Sequence, residues 1–165
     1  MKNKIISTLI LIGALSWFAG SVNAQQAKYY ALFVTKFSDY IQWPNAKTPI
    51  VIGVYGNQEI ISELEGFTSK KQNIQIATIN SIRDVNKCQI VFLGDSKKGE
   101  FESIRASIDK KEILLVTENE TFAEHGAAIS FYLDGTKLRF RLNKQTIETQ
   151  NLKVSGSLLS LADVI

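Results

Sequence analysis

The 165-residue sequence has one cysteine, one histidine and only two prolines, and each scarcity closes off a class of explanation. With Cys88 alone no intrachain disulfide can form, so packing rather than crosslinking must hold the fold. Zinc and iron sites draw on clustered Cys, His and carboxylates, and Cys88 and His125 share no known ligand spacing. Acidic pairs such as Glu63 with Glu65, or Glu118 with Glu120, lack the alternating oxygen ligands of a calcium loop and read as exposed charges. No metal and no cofactor is therefore expected. Enzyme signatures are equally thin. His125 has no nucleophile in a recognisable pattern beside it; just before Gly126, at the end of a short turn, it suits satisfaction of terminal carbonyls. Ser155-Gly156-Ser157 departs from the G-x-S-x-G order of a nucleophile elbow. Gly53-Val54-Tyr55-Gly56 lacks the third glycine of a dinucleotide loop, and Tyr55 fills the space a phosphate needs. In Gly94-Asp95-Ser96, Asp95 or Ser96 is expected to cap the helix that follows.

Charge of one sign is also scarce. The formal net charge is +3, and two of the lysines behind it, Lys2 and Lys4, lie in the first 24 residues, so the remainder carries about +1. The densest basic clusters, Lys70-Lys71, Lys97-Lys98 and Lys110-Lys111, are isolated pairs, too sparse for a nucleic-acid surface.

What is present begins at the N-terminus. Lys2 and Lys4 precede an apolar run from Ile5 to Phe18, and Val22-Asn23-Ala24 places small residues where a signal peptidase reads. Residues 1–24 are expected to be a secretory signal peptide cut after Ala24, with residues 25–165 forming one domain outside the cytoplasm.

From Ala27 to Trp43, Tyr30, Phe33, Val34, Phe37, Tyr40 and Ile41 recur at helical steps, and Pro44 is expected to end the helix. Tyr29, Leu32 and Trp43 lie beyond one stripe, so the helix should be covered on more than one side. Strands are expected at Ile50–Tyr55, Ile74–Ile79, Gln89–Leu93 and Ile113–Val116, with helices near Gln58–Glu65 and Lys98–Asp109. Strands apolar at consecutive positions need cover on both faces, as in a parallel sheet between helix layers. Cys88, at the mouth of one such strand, is expected to be a buried, inert thiol. Thr121 with Glu124 has capping-box spacing and predicts a helical turn. Ala127–Leu133 and Lys137–Leu142 flank Asp134-Gly135 as a β-hairpin, whose second strand alternates and suits a sheet edge. Helices near Lys144–Thr149 and from Ser155 onward close the chain. The expected fold is a single three-layer-like α/β domain: a mostly parallel sheet of about six strands with an antiparallel C-terminal hairpin, flanked by helices.

The aromatics Tyr29, Tyr30, Phe33, Phe37, Tyr40 and Trp43 crowd one helix. They suit either core packing or a partner surface, since Tyr and Trp bury large area while offering a polar tip. The phrase Lys36-Phe37-Ser38-Asp39-Tyr40-Ile41-Gln42-Trp43-Pro44, followed by the strand from Ile50 to Gly56, resembles the YfiR family of small periplasmic proteins. The likeness continues through Cys88–Leu93, Ile113–Thr117, Phe122–Gly126, Leu138–Asn143 and Leu152–Ala162. It implies an α/β domain that usually forms a homodimer and acts as a sensor or inhibitor. The best-known kind of member restrains the periplasmic portion of a membrane diguanylate cyclase, lowering cyclic-di-GMP and biofilm formation. Some members carry disulfides, and one cysteine departs from that pattern. The expected partner is accordingly a membrane-bound sensor or cyclase, contacted through the six aromatics and the hairpin's outer face. The alternative is a periplasmic small-ligand-binding protein with a pocket at the carboxyl ends of the strands, near Tyr55 and Gly94. A hydrolase would need Ser96, Ser155 or Ser157 beside His125.

Overall fold

The computed structural model describes residues 19–45 and 48–165, with side chains from Ala24 onward; the leader expected over residues 1–24 falls mostly outside them. Helix α1, Ala19–Tyr40, leads into a two-residue strand β1, Ile41–Gln42, and then β2, Ile50–Tyr55. Helix α2, Gln58–Thr68, and strand β3, Ile74–Thr78, follow. A 3-10 segment, Ile82–Lys87, precedes β4, Ile90–Leu93; a second, Asp95–Glu100, runs into helix α3, Phe101–Ser107. Strands β5, Leu114–Thr117, β6, Ile129–Asp134, and β7, Lys137–Leu142, come next. The chain ends through α4, Lys144–Thr149, β8, Lys153–Val154, α5, Gly156–Leu159, and β9, Asp163–Val164.

Seven strands form the main sheet in the order β3-β2-β4-β5-β6-β7-β9, and β1 pairs with β8 in a separate two-stranded ladder. All neighbours in the main sheet are parallel except the β6–β7 hairpin. Every residue of β4 and β5 is buried, as expected of strands covered on both faces. Their side chains alternate between two cores. Ile52, Val54, Ile90, Phe92, Leu114 and Val116 pack under α1 and α2 with Phe37, Phe131 and Phe140. Tyr55, Val91, Leu93 and Leu115 pack on the opposite face with Val85, Phe101, Ile104 and Ile108. The helical and 3-10 segments on the two faces make this a three-layer α/β domain.

Several local expectations shift. Helix α1 stops at Tyr40 rather than Trp43, because Ile41 and Gln42 pair with Val154 and Lys153, and Ser155 N–H donates to the Tyr40 carbonyl at 3.0 Å. The hairpin loop is Gly135-Thr136, one residue later than expected: Asp134 still pairs with Lys137, and Gly135, with φ +62°, takes the first central position of a tight turn. The final helix ends at Leu159, and Asp163 and Val164 instead pair with Arg141 and Leu142. Strand β7 is therefore an open edge only over its first part. The turn after β5 starts from Asn119, whose Oδ1 accepts from Thr121 N–H at 3.1 Å; it is a run of turns, with no capping box at Thr121.

Candidate functional site

Strand β2 is the switch point of the sheet. Its successors β3 and β4 lie on opposite sides of it, so the loops leaving β2 and β4 part above the carboxyl ends of the strands. The two loops meet at their bases. Gly94 N–H donates to the Tyr55 carbonyl at 2.7 Å, and a Cβ on Gly94 would sit 2.6 Å from the Gly56 carbonyl oxygen. Gly56 itself has φ +84°, a region glycine enters without strain. The Ser96 hydroxyl donates to that same Gly56 carbonyl and the Asp95 carboxylate faces Lys98 at 3.5 Å, so neither side chain caps the following helix as expected.

Glu118, just past β5, ties both loops down. One carboxylate oxygen accepts from Asn57 Nδ2 and the other from Asp95 N–H at 2.7 Å. Asn57 is meanwhile the N-cap of α2, its Oδ1 accepting from Ile60 N–H at 3.2 Å. Glu118 is thus a half-buried bridge rather than the exposed charge expected from sequence. Its burial, the largest influence, pushes its carboxyl pKa upward, reinforced by the nearby Asp95 and Glu59 carboxylates and opposed by its two donors.

A cleft of about 690 Å³ opens beside this bridge. Gln26, Ala27 and Tyr30 of α1 form one wall, Phe131, Tyr132 and Leu133 of β6 another, and the loop residues Asn57, Asp95 and Glu118 the floor. Tyr30, only 6 % exposed, accepts at its hydroxyl oxygen from Gln26 Nε2 at 2.7 Å. Burial, with the Glu118 carboxylate across the cleft, pushes the Tyr30 phenol up to about 12.

The remaining chemistry-bearing residues are placed as follows. Gly53 serves packing, since a Cβ there would come 2.5 Å from Cys88 Sγ. Cys88 is buried and free, and burial pushes its thiol up to about 11, away from thiolate chemistry. Tyr55 donates to Glu100 Oε2 at 2.7 Å. His125 is exposed, and among the described residues no hydrogen bond joins its ring to a serine or to a carbonyl. Ser155 instead caps α5, its hydroxyl accepting from Leu158 N–H at 3.2 Å.

The six helix aromatics divide by burial. Phe37 is fully buried between Phe131 and Phe140, with ring centroids 6.0 and 5.3 Å away, and Tyr30 lies 4.9 Å from Phe131. Phe33, Tyr40 and Trp43 are half-buried against the same core, and the Trp43 indole N–H has no partner among the described residues. Tyr29 is 46 % exposed. Leu32, Leu133 and Leu161 are also exposed. Leu133 shares a strand face with the buried Phe131, so alternation alone implies burial; it is exposed because cover runs out toward the hairpin end of β6.

Solved structures that share the fold include two distant ones. A conserved domain protein from Vibrio cholerae O1 biovar eltor superposes with TM-score 0.59 at 14 % identity, over 84 % of this chain and 59 % of its own. An ABC domain from Streptococcus pneumonia, solved in complex with L-Trp, gives TM-score 0.54 at 12 % identity, over 70 % of this chain and 56 % of its own. This chain therefore spans little more than half the length of either. No curated protein matches its sequence. Among the described residues no helix is long and apolar enough to cross a membrane. The sequence model of one family matches residues 27–163, from the first turns of the aromatic helix to the last strand, and the chain belongs to that YfiR/HmsC-like family.

Proposed function

We propose that the chain is a non-enzymatic periplasmic regulator that binds and restrains the outer domain of a membrane signalling protein, a diguanylate cyclase being the leading kind of partner. Residues 1–24 act as a signal peptide cut after Ala24, and the working form is a homodimer of residues 25–165. The observation that carries this reading is family membership across nearly the whole chain. Restraint of this kind needs no chemistry: the domain prefers one of two receptor states and shifts their populations by that difference in affinity. Tyr29, with its neighbour Leu32, is the part of the aromatic helix free to touch a partner, whereas Tyr30 and Phe37 act by holding the helix to the sheet.

The test is crosslinking in the cell of origin, with fractionation. The processed chain, starting at Gln25, is expected in the periplasm, coupled to a membrane sensor. A Tyr29→Glu/Leu32→Glu variant should keep its fold, lose that product and raise cyclic-di-GMP. Intact chain confined to the cytosol, or an unchanged product in the variant, overturns the proposal.

The cleft at the switch point favours a second reading, in which the domain binds a small ligand at the carboxyl ends of its strands. The two readings combine if the ligand is the stimulus that changes affinity for the partner.

A further inference from the structure

We propose that β3 is the docking edge for a second copy of this chain: two β3 strands run antiparallel across a twofold axis at Ile76 and join two sheets into one. This rests on the homodimer reading above and names the surface that reading leaves unassigned.

The sheet has two edges, and the fold treats them differently. At one, β9 is two residues long and carries Asp163, and the part of β7 that it leaves uncovered carries Lys137 and Arg139. Brevity and charge are devices by which an edge refuses another strand. At the other, β3 has five residues, Ile74–Thr78, with no charge and no proline among them. It pairs with β2 residue for residue from Ile74 to Thr78, so no bulge twists it away from a newcomer.

Backbone geometry defines what the open edge presents. Ile50 N–H donates to the Asn73 carbonyl and Ile79 N–H to the Val54 carbonyl, both at 2.8 Å, so the odd-numbered residues of this segment turn their backbone groups to β2. Backbone direction alternates along a strand, and Ile74, Ile76 and Thr78 therefore point three N–H and three C=O groups outward. None of these has a hydrogen-bond partner among the described residues. A copy of the same strand, antiparallel and centred on Ile76, satisfies them all: Ile76 faces Ile76, Ile74 faces Thr78 on both sides of the axis, and each pair exchanges two hydrogen bonds. Near such an axis each side chain lies close to its own counterpart, so a charge there would repel itself; β3 has none. Ile74 and Ile76 are half-buried against the core under α1 and α2, and the pairing extends that core across the axis. Two five-residue strands bury less than the roughly 1,200–2,000 Å² of a standard interface, so a reversible dimer in the micromolar range is expected rather than an obligate one.

The test is analytical ultracentrifugation of the purified protein over a concentration series, with three variants. Thr78→Pro removes an outward N–H and no hydrogen bond within the protomer, a change an edge strand tolerates, so its melting temperature should stay near that of the native protein while its dimer weakens at least tenfold. Under mild oxidation Ile76→Cys should crosslink copy to copy, since opposed residues of a hydrogen-bonded pair lie about 5.5 Å apart at Cα. Thr78→Cys should not, its two copies lying roughly 14 Å apart along the strands. Cys88 is buried and does not compete. A dimer as strong in Thr78→Pro as in the native protein, or crosslinking through Thr78→Cys in place of Ile76→Cys, overturns this interface and leaves the homodimer reading standing. A monomer at every concentration overturns both. Loss of the membrane-sensor crosslink in Thr78→Pro with the dimer intact gives the edge to a receptor strand, and the proposal falls.

Discussion

Glu112 and Glu118 stand at opposite ends of β5, and the fold treats their charges in opposite ways. Before the strand, Glu112 collects three hydrogen bonds: from the Asn45 backbone N–H at 3.0 Å, Asn45 Nδ2 at 2.6 Å and Asn151 Nδ2 at 2.8 Å. Asn45 belongs to the loop after β1, and Asn151, with φ +55°, to the link between α4 and β8. One carboxylate thus ties two other loops to its own at the amino ends of the strands. Partial burial works to raise its pKa, but these donors prevail in sum and hold it below the usual range. After the strand, Glu118 joins two loops through Asn57 and Asp95, yet burial and the neighbouring carboxylates prevail and its pKa rises. The amino end is electrostatically complete. The carboxyl end keeps a half-buried carboxylate beside an open cleft, where its two donors do not outweigh burial and the neighbouring acids.

The most disruptive way to break this contrast is Gly94→Ala. Its Cβ would press on the Gly56 carbonyl oxygen at 2.6 Å and carbonyl carbon at 2.7 Å, and backbone yields less readily than a side-chain tip. A loss of about 1–3 kcal/mol in urea unfolding is expected, as for other overpacked sites, with loosening of the loops that Glu118 bridges. A smaller effect is expected at the amino end from Glu112→Gln, which removes charge from an acceptor of three donors. Because the folded pKa of Glu112 is depressed, its stabilisation is present above the unfolded value of about 4.3 and lost as pH falls through the folded value. Unfolding curves of the two proteins should therefore differ at neutral pH and converge on acidification below about 4.3. A gap that persists undiminished at low pH would mean the three donors do not depend on the charge.

The sequence makes the middle of the fold legible and its seams obscure. Ile90–Leu93 and Leu114–Thr117 read as doubly covered strands because consecutive apolar residues leave a strand no wet face. Strands β1, β8 and β9, each two residues long, are too short to show a period, and they form because distant segments supply the partner. For the same reason the helix expected from Ser155 onward stops at Leu159, and the chain returns to the sheet at Asp163 and Val164. The aromatic period of α1 was plain, but periodicity does not say whether a stripe meets a core or a partner; Phe131 and Phe140, a hundred residues on, decide that for Phe37. At the strand ends, Tyr55 and Gly94 themselves do not line the cleft; Asn57 and Asp95, farther along the same two loops, do. Glu118 was read as a surface charge because the partners that hold it, Asn57 and the Asp95 N–H, come from the ends of two other strands, contacts no local pattern records.

The smallest expected effect is also the sharpest test of the contrast. Burial raises the folded pKa of Glu118 above its unfolded value, so the folded protein holds the proton more tightly. The stabilising contribution of that bound proton is full below about 4.3 and is lost as pH rises through the folded value, the reverse of Glu112. Glu118→Gln keeps an acceptor oxygen for one of the two loops and never ionises. Its stability relative to the native protein should therefore improve with rising pH across the window just above 4.3 and stay level from there to neutrality. Both glutamates then act in adjoining pH ranges with slopes of opposite sign, on a strand four residues long. If both slopes share a sign, the ends of β5 are electrostatically alike, and burial does not outweigh the donors beside the cleft.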